Sequence, residues 1–391
     1  MNIAILIQTL GGGGAERVAQ IIGDYYVEQG HNVYYFLGDT DIKQVYPVKG
    51  QIVNTGIKSC GSNNFFGDAQ VLLKLLAASF QMRKYKCHYK IDAAISFIEE
   101  LNYINILSKG REKVITRICI VLSAHGGRNS ILYNKNVIRF FYNMADNVVV
   151  LCREMRNDMH QNYKVAMSKM VQIPNPVLVV SHNSSDVNWK YGDKVIIAVG
   201  RLEQQKQYER IIRAFTYVAR NEPDAKLLIL GKGSLEKSLK ELCRKYGVKD
   251  RVIFAGFKKN PEDYLKKSKV FVMASEVEGM PNSMLEAMIN GLPVVTTDTP
   301  GACAEILGKK DGVGNCKEIE YCTYGVLTPY ISGMVQDGSN LEKKEILLGQ
   351  AMLELLQNDE MRMKYSQRSQ KRASMYNLAN IMSKWNRLLG I

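Results

Sequence analysis

Long apolar runs are missing from this 391-residue sequence. No stretch reaches the roughly eighteen consecutive apolar residues that a membrane-spanning helix requires, so hydropathy excludes such a helix. The first residues, Met1–Ile7, lack a basic leader and already resemble a β-strand. We therefore expect no signal peptide.

Paired cysteines are also missing. The eight cysteines are scattered and form no Cys-x-x-Cys motif. This spacing argues against a zinc site or a disulfide framework and indicates reduced thiols in a cytosolic protein. Most of them lie in apolar segments, and we interpret Cys243 and Cys303 as core residues rather than nucleophiles.

The common nucleotide-binding fingerprints do not occur where a glycine-rich turn would place them. Gly11–Gly14 fails Gly-x-Gly-x-x-Gly because Glu16 occupies the position of the third glycine, and no Gly-Lys-Ser/Thr follows. Gly12, Gly13 and Gly14 still follow a strand and open a helix. They would let the backbone approach a ligand, with helix N–H groups toward an anion. A flexible turn is the alternative.

A net charge of +14 is the main compositional asymmetry. Residues 1–185 hold 20 Lys and Arg against 13 Asp and Glu, and the remainder holds 32 against 25. The excess is thus spread evenly, and it is compatible with nucleic acid, an anionic membrane or a phosphorylated substrate. No zinc-finger, RRM or KH signature favours nucleic acid.

The hydrophobic pattern predicts alternating strands and helices in two successive sets. The first set has strands at Ile3–Gln8, His31–Leu37, Ala93–Phe97, Val114–Ile120 and Asn147–Leu151, and helices at Ala15–Gln29 and 69–83. The helix at 69–83 has Val71, Leu72, Leu75, Leu76 and Ser79 at helical spacing. Continuous apolar strands between helices indicate a parallel sheet covered on both faces.

A break at Ile173–Val177 and a polar stretch to Gly192 separate the two sets. The second set has strands at Lys194–Val199, Lys226–Leu230, Val252–Phe254, Val270–Ala274 and Pro293–Thr297, and helices at Tyr208–Arg220, Leu235–Tyr246, Pro261–Ser268 and Ser283–Asn290. The tail, 342–391, is helical. The fold class is therefore α/β, with two Rossmann-like doubly wound domains, and ligands are expected at the carboxyl ends of the strands.

Two glutamates eight positions apart mark the segment after the strand at 270–274. Glu278 is followed by Gly279, Met280, Pro281, Asn282 and Ser283, and Glu286 lies in the next helix. Ionised carboxylates at these positions would accept hydrogen bonds from sugar and ribose hydroxyls, and the N–H groups of Met280–Ser283 would meet a phosphate or carboxylate. A capping box between Ser283 and Glu286 is a compatible alternative.

Two cations follow the first strand of the second set. Gly200 directly follows that strand, Arg201 comes next, and Lys206 lies five residues later. Fixed cations stabilise the charge that develops on a departing diphosphate. Gly231 and Gly233, after the next strand, would place backbone against a nucleotide or merely form a turn.

Weaker candidates lie in the first half. His125 is followed by two glycines, so we place it in a loop where it would contact a donor or acceptor hydroxyl. Arg117 and Arg128 are less favoured. Metal ligation is not expected, because the Asp-x-Asp pair Asp39–Asp41 lies far from the other motifs.

The stretch Gln81–Ile91 is basic and aromatic and contains no acid. Its cations are Arg83, Lys84, Lys86 and Lys90. Such a segment suits the anionic surface of a membrane. A solvated helix end is the alternative.

Taken together, these motifs resemble the family 4 retaining glycosyltransferases with the GT-B fold. The resemblance is carried by Gly-Gly-Ala-Glu-Arg-Val at 13–18, Val-Gly-Arg-Leu at 199–202 with Lys206, Leu-Gly-Lys-Gly at 230–233, and the glutamate pair at 278 and 286. One departure is Gln207, where the family often has glycine. Residues 318–329 resemble relatives that extend surface polysaccharides.

The resemblance implies two domains facing a central cleft: an acceptor-binding domain at 1–180, a nucleotide-sugar domain at 181–372, and a final helix at 373–391 that crosses back to the first. It implies retaining transfer from a nucleoside-diphosphate sugar without a metal or another cofactor. Arg201 and Lys206 would hold the diphosphate, Glu278 the sugar and Glu286 the ribose, and His125 matches by region.

We expect a UDP-linked hexose or N-acetylhexosamine as donor and a lipid-linked glycan as acceptor, at the cytoplasmic face of a membrane. Three other functions remain open at this stage: another GT-B enzyme such as a sugar-nucleotide epimerase or a phosphorylase, a nicotinamide oxidoreductase, and a non-catalytic partner that binds sugar nucleotide or membrane. A phosphorylase needs a longer chain, and the glycine pattern argues against the oxidoreductase.

Overall fold

The computed structural model describes residues 1–42, 44–57, 68–125, 131–178, 189–309, 315–333 and 340–391. They form two compact units: unit 1 comprises Met1–Pro176 with Ala379–Ile391, and unit 2 comprises Val177–Leu378. The boundaries predicted from the sequence, 180 and 372, lie near these limits. Among the described helices, none is long and apolar enough to cross a membrane.

Unit 1 is built around a seven-stranded parallel sheet. Its elements are β1 (Asn2–Ile7), α1 (Gly14–Glu28), β2 (Asn32–Leu37), β3 (Gln51–Asn54), α2 (Asp68–His88), β4 (Ala93–Phe97), α3 (Glu99–Leu107), β5 (Lys113–Arg117), α4 (Lys135–Met144), β6 (Asn147–Val150), α5 (Arg153–Tyr163) and β7 (Met170–Gln172). The strand order is β3-β2-β1-β4-β5-β6-β7. Residues 3–7 of the central strand β1 are fully buried, as expected for a strand covered on both faces.

Unit 2 repeats this plan. Its elements are β8 (Val195–Val199), α6 (Tyr208–Asn221), β9 (Lys226–Leu230), α7 (Glu236–Lys245), β10 (Val252–Gly256), α8 (Glu262–Lys267), β11 (Val270–Met273), α9 (Asn282–Ile289), β12 (Val294–Thr297), α10 (Cys303–Leu307), β13 (Glu320–Tyr321), β14 (Val326–Thr328), α11 (Lys343–Gln357) and α12 (Asp359–Ser374). The order is β10-β9-β8-β11-β12-β14-β13, and only β13 is antiparallel among the described strands. Two doubly wound α/β units are therefore present, which confirms the predicted fold class.

The last helix, α13 (Leu378–Leu389), is part of the core of unit 1. Trp385 is buried, and the phenol of Tyr26 donates a hydrogen bond to Oδ1 of Asn386 at 3.1 Å. Lys113 donates a hydrogen bond from Nζ to the carbonyl of Leu388. The carboxyl end of the chain thus completes the unit that its amino end begins.

Helix α2 buries a different face from the one that its apolar spacing suggested. Val71, Leu75, Ser79 and Met82 point inward, whereas Leu72 and Leu76 are 36% and 55% exposed. The expected apolar face is therefore partly wrong. Leucines occur on two sides of this helix, and periodicity alone does not tell which side meets the sheet.

Lys86 corrects the interpretation of the basic stretch as a wholly solvent-facing surface. This lysine is buried, and its Nζ lies 2.9 Å from Oε1 of Glu112 and 2.6 Å from Oδ1 of Asn105. Arg83, Lys84 and Lys90 remain exposed. Lys86 was misassigned because its acidic partner lies 26 residues further along the chain.

Candidate functional site

The predicted cations and acids of unit 2 follow two neighbouring strands. β8 leads into residues 200–207, which we call the cation loop, and β11 leads into residues 275–281, the acid loop. β8 and β11 are parallel, hydrogen-bonded neighbours. The strands after β8 are first added on one side of it, as β9 and β10, and then on the other side from β11 onward, so the strand order reverses between β8 and β11. Such a reversal opens a crevice at the carboxyl ends of the strands, where doubly wound sheets bind ligands.

The cation loop is held in place by the turn after β9. Gly200 N–H donates to Leu230 O at 3.0 Å, and Leu202 N–H donates to Lys232 O at 3.0 Å. A 3-10 turn, Gln204–Lys206, then leads into α6 through Gln207. The backbone of the loop is therefore tied to its neighbour before any ligand is considered.

Gly231 and Gly233 are required by this packing. A Cβ on Gly231 would lie 1.8 Å from Gly200 O, and one on Gly233 would lie 2.3 Å from Leu202 O. Gly231 also has a φ of +151°. Close approach to the cation loop explains both glycines, and their predicted contact with a nucleotide stays a prediction.

Lys206 and Glu278 meet across the two loops. The lysine Nζ lies 2.5 Å from the Glu278 Oε1, with the side chains 22% and 8% exposed. Arg201, by contrast, is exposed at the start of the cation loop. Burial and the Glu278 carboxylate raise the pKa of the neighbouring Tyr208 phenol. The chain thus places a cation beside a largely buried carboxylate at the reversal point.

The acid loop is held from two sides. On one side, Glu276 N–H donates to Gln205 O at 2.8 Å, and Gln205 Nε2 donates to Val277 O at 2.8 Å. On the other side, Glu278 N–H donates to Pro300 O at 2.9 Å, and Ala302 N–H donates to Gly279 O at 2.9 Å. Glu278 therefore projects from a loop whose backbone is fixed.

Helix α9 begins one residue earlier than predicted. Met280 and Pro281 are buried, Pro281 occupies the N-cap position, and Asn282 and Ser283 are the first two helical residues. The capping box proposed for Ser283 is wrong, because Ser283 lies inside the helix and no side-chain cap is formed. Glu286 is half-buried one turn further on.

The glycine candidates of unit 1 lie at the start of helix α1. Gly12 has a φ of +108°, Gly13 is the N-cap of α1 and Gly14 its first residue. A Cβ on Gly13 would lie 2.2 Å from Oε2 of Glu16, so the chain's own carboxylate packs over this turn. An anion approaching the start of α1 would have to displace Glu16. Contact between these glycines and a ligand stays a prediction.

His125 and Arg117 have different environments. His125 is half-buried, with its N–H 3.3 Å from Leu122 O. Arg117 is buried and donates to Cys119 Sγ at 3.0 Å and to Asn175 Oδ1, with its guanidinium 5.0 Å from the Phe97 ring. Arg117 is thus engaged by the protein itself, and Arg128 lies outside the described residues.

Cys243 and Cys303 are buried, as predicted.

Two contributors to the geometry of the site had been missed. Gln205 looks like any polar residue of a turn, because its partner Val277 is 72 residues away in the chain. Gly301 follows Pro300, and this Pro-Gly pair signals a turn but not its position against the acid loop.

Sequence comparison decides the family. The model of the family described as "Glycosyl transferases group 1" matches residues 181–317, and the model of "Glycosyltransferase Family 4" matches residues 12–179. An uncharacterized glycosyltransferase of Methanocaldococcus jannaschii is 31% identical over 274 residues, which cover 66% of this chain and 67% of that protein. The chain belongs to glycosyltransferase family 4. The resemblance inferred from the motifs is thereby confirmed.

Other relatives of this glycosyltransferase span nearly its whole length. The N-acetylgalactosamine-N,N'-diacetylbacillosaminyl-diphospho-undecaprenol 4-alpha-N-acetylgalactosaminyltransferase of Campylobacter jejuni is 26% identical, with 97% of both chains covered. Among solved structures, Staphylococcus aureus TarM superposes with a TM-score of 0.74 at 14% identity, covering 100% of both chains. Anabaena HepE, solved with UDP and glucose, gives 0.73 at 16%, covering 100% of this chain and 99% of that one. These likenesses establish the GT-B fold of the glycosyltransferase.

Proposed function

We propose that this glycosyltransferase moves a hexose or N-acetylhexosamine from a UDP-sugar to a lipid-linked glycan, with retention of anomeric configuration and without a metal. The observation that carries the proposal is the pairing of Lys206 with Glu278 at the reversal point between β8 and β11. A cation and a carboxylate in one crevice match the two ends of a sugar diphosphate.

The residues of unit 2 suit the charge changes of such a transfer. The bond from the anomeric carbon to the diphosphate breaks, and the acceptor oxygen bonds to that carbon on the same face. The acceptor proton passes to the departing phosphate oxygen. Arg201 and Lys206 would stabilise the charge on the diphosphate. Glu278 would accept hydrogen bonds from sugar hydroxyls, and Glu286 from the ribose.

The printed names of relatives support the choice of donor and acceptor. TarM and HepE were solved with UDP, and the Campylobacter relative is named for an undecaprenyl diphosphate-linked glycan and an N-acetylgalactosaminyl group. We infer a UDP donor and a lipid-linked acceptor for this chain by analogy. His125 is proposed to contact a hydroxyl of the donor or the acceptor.

Nucleotide binding tests the donor. Thermal unfolding would be followed with UDP, GDP, ADP and their sugars, on the wild type, Glu286→Ala and the control Glu241→Ala, an exposed glutamate of α7. Ligand at about 100 times its Kd stabilises by about 2.7 kcal/mol, so the midpoint rises. UDP should stabilise the wild type and Glu241→Ala but not Glu286→Ala. A shift with GDP or ADP instead would refute the assignment of the base, and equal shifts in all three proteins would refute the role of Glu286.

Product analysis tests the transfer. Incubation of the radiolabelled UDP-sugar with membrane lipid extract should label an organic-soluble product, and its proton coupling should show the anomeric configuration of the donor. Activity should persist in the presence of EDTA. An inverted product, or activity abolished by EDTA and restored by a divalent cation, would overturn that part of the proposal.

We also propose that the enzyme associates peripherally with an anionic membrane at the cytoplasmic face, through α2. Leu73, Leu76 and Phe80 follow one another at helical spacing and are 66%, 55% and 67% exposed. Exposed Lys84 extends this face, with Nζ 4.9 Å from the Phe80 ring. Exposed Lys90 follows the helix. An apolar stripe with cations at one end fits the boundary between acyl chains and anionic headgroups.

Vesicle sedimentation tests this surface. Binding should require phosphatidylglycerol in phosphatidylcholine vesicles, and Lys84→Gln/Lys90→Gln should weaken it about 30-fold, since each cation contributes roughly 1 kcal/mol near an anionic surface. Lys237→Gln/Lys249→Gln, which removes the same charge from exposed sites of unit 2, is the control. Equal weakening by both pairs would mean that net charge, and not α2, attracts the vesicle.

A further inference from the structure

Gln205 joins the cation loop to the acid loop through its backbone carbonyl and its side-chain amide. Its backbone carbonyl accepts from Glu276 N–H at 2.8 Å, and its side-chain Nε2 donates to Val277 O at 2.8 Å. The next residue on each loop is a member of the ion pair, because Lys206 follows Gln205 and Glu278 follows Val277. We propose that Gln205 is a positioning residue for sugar transfer, which sets the distance between Lys206 and Glu278. This inference rests on the proposed function.

The ion pair alone does not fix this geometry. A lysine side chain has several rotatable bonds, and an incoming diphosphate would compete with Glu278 for its ammonium group. Once the pair is loosened by substrate, a separate contact must keep the loops in register. The two bonds of Gln205 involve backbone groups and carry no net charge, so a diphosphate leaves them unchanged.

The chemistry of the side chain narrows what can stand at this position. The amide donates to Val277 O, which a carboxylate cannot do, and an unmade bond to a partly buried carbonyl costs free energy. A glutamate would also add negative charge beside the proposed diphosphate site. Gln204 provides a matched comparison, because it lies in the same 3-10 turn, is exposed, and has no side-chain hydrogen bond to a described residue.

The test combines loop protection with kinetics for the wild type, Gln205→Ala, Gln205→Glu, Gln204→Ala and Gln204→Glu. Amide hydrogen exchange of residues 276–280 should rise in both Gln205 variants and stay unchanged in the Gln204 variants. With the UDP-sugar identified by thermal unfolding, kcat should fall roughly 10- to 100-fold in Gln205→Ala, since about 1 Å of misplacement has such an effect. The Kd for UDP should change less than kcat, because a displaced lysine still attracts phosphate.

The outcomes separate this inference from the proposed function. Unchanged exchange in Gln205→Ala, or raised exchange with unchanged kcat, would overturn the positioning role while transfer by the wild type stands. A larger loss in Gln205→Glu than in Gln204→Glu would support it, and equal losses would point to charge alone. A parallel fall of kcat and unfolding temperature would indicate a merely structural residue. A wild type that transfers no sugar would overturn both proposals and be recognised first.

Discussion

Single residues set the geometry of the site through backbone conformation. Gly301 has a φ of +128°, and a Cβ there would lie 2.3 Å from Glu278 O. Its neighbours Pro300 and Ala302 make the two backbone hydrogen bonds that hold the acid loop on the side away from Gln205. The position therefore excludes every side chain both by conformation and by contact.

Gly301→Ala is expected to displace Glu278 and so weaken donor turnover by at least roughly 10-fold, since about 1 Å of misplacement in a site reduces the rate by up to about 100-fold. The control is Gly247→Ala, where φ is +67° but a Cβ meets nothing within 4 Å. That variant carries the strain of a left-handed residue without the collision. Steady-state kinetics of the two variants check this expectation, and equal losses of activity would show that strain alone is responsible.

Gln207 shows how a residue can stand where glycine is usual. Its φ of +45° is left-handed, and its side chain is buried with Nε2 donating to Ile331 O at 3.1 Å. The backbone conformation explains why the family favours glycine here. The bond to Ile331, 124 residues away, is the local compensation that the sequence alone does not reveal.

At the scale of elements, a buried ion pair joins α2 to the segment before β5. Burial, the largest effect, lowers the pKa of the Lys86 amine to about 8, although Glu112 acts to raise it. Lys86→Met is expected to reduce the free energy of unfolding by about 3–5 kcal/mol, because Glu112 is left buried without its cation. In Lys86→Met/Glu112→Gln most of this loss should be recovered. Urea unfolding measures both, and a double variant as unstable as the single one would contradict the argument.

Helices α6 and α11 are joined by a second buried network. Glu345 Oε1 lies 2.6 Å from Arg213 Nε and 2.8 Å from Arg210 Nη1. Burial opposes ionisation, but the hydrogen bonds from Arg213 and Arg210 outweigh it and lower the pKa of Glu345. The folded pKa therefore lies below the unfolded value of about 4.3. The stabilisation is fully present above that unfolded value and is lost as the pH falls through the folded pKa.

This network predicts a specific acid sensitivity. The difference in unfolding free energy between the wild type and Glu345→Gln should be constant above about pH 6 and should shrink as the pH falls below about 4.3. Glu360→Gln, at an exposed position of α12, should show no such dependence. Urea unfolding midpoints, measured between about pH 3 and about pH 7 so that they span the titration of a carboxyl group, would check this. A difference that grows at low pH would contradict the sign.

The elements that the sequence predicted well are those with apolar inner faces. The strand at Lys226–Leu230 is predicted to the residue, and the helix at Tyr208 begins where expected. Helix α3 was missed because its buried residues include Asn102 and Asn105, which hydrogen-bond to Ser96 and to backbone carbonyls. A prediction based on apolar spacing does not recognise polar residues that are buried in a core with their hydrogen bonds made.

At the scale of the whole molecule, the chain leaves unit 1 after Pro176 and returns to it at Ala379. The motifs predicted from sequence in unit 2 come together because β8 and β11 are neighbours in the sheet. The doubly wound topology brings these motifs close together. The hydrogen bonds of Gln205 and the close packing at Gly301, in contrast, depend on contacts between loops far apart in the chain. Pattern thus predicts which loops meet, and only the structure shows what holds them at their distance.

The stabilities of the two units can be tested separately, because α13 contributes a buried tryptophan to unit 1 and the other tryptophan lies in unit 2. The protein has two tryptophans: Trp385 is 1% exposed in α13, and Trp189 lies in unit 2 and donates from its indole to Gly192 O at 2.8 Å. Trp385→Ala should destabilise unit 1 by about 3–5 kcal/mol, as truncation of a buried aromatic side chain does. Because chains with two units need not unfold in one step, calorimetry should show a separate early transition. The UDP-dependent shift assigned to unit 2 should remain on the later one. Trp189→Ala is the control and should leave the transition of unit 1 in place, whereas one common transition lowered by Trp385→Ala would show that the two units unfold together.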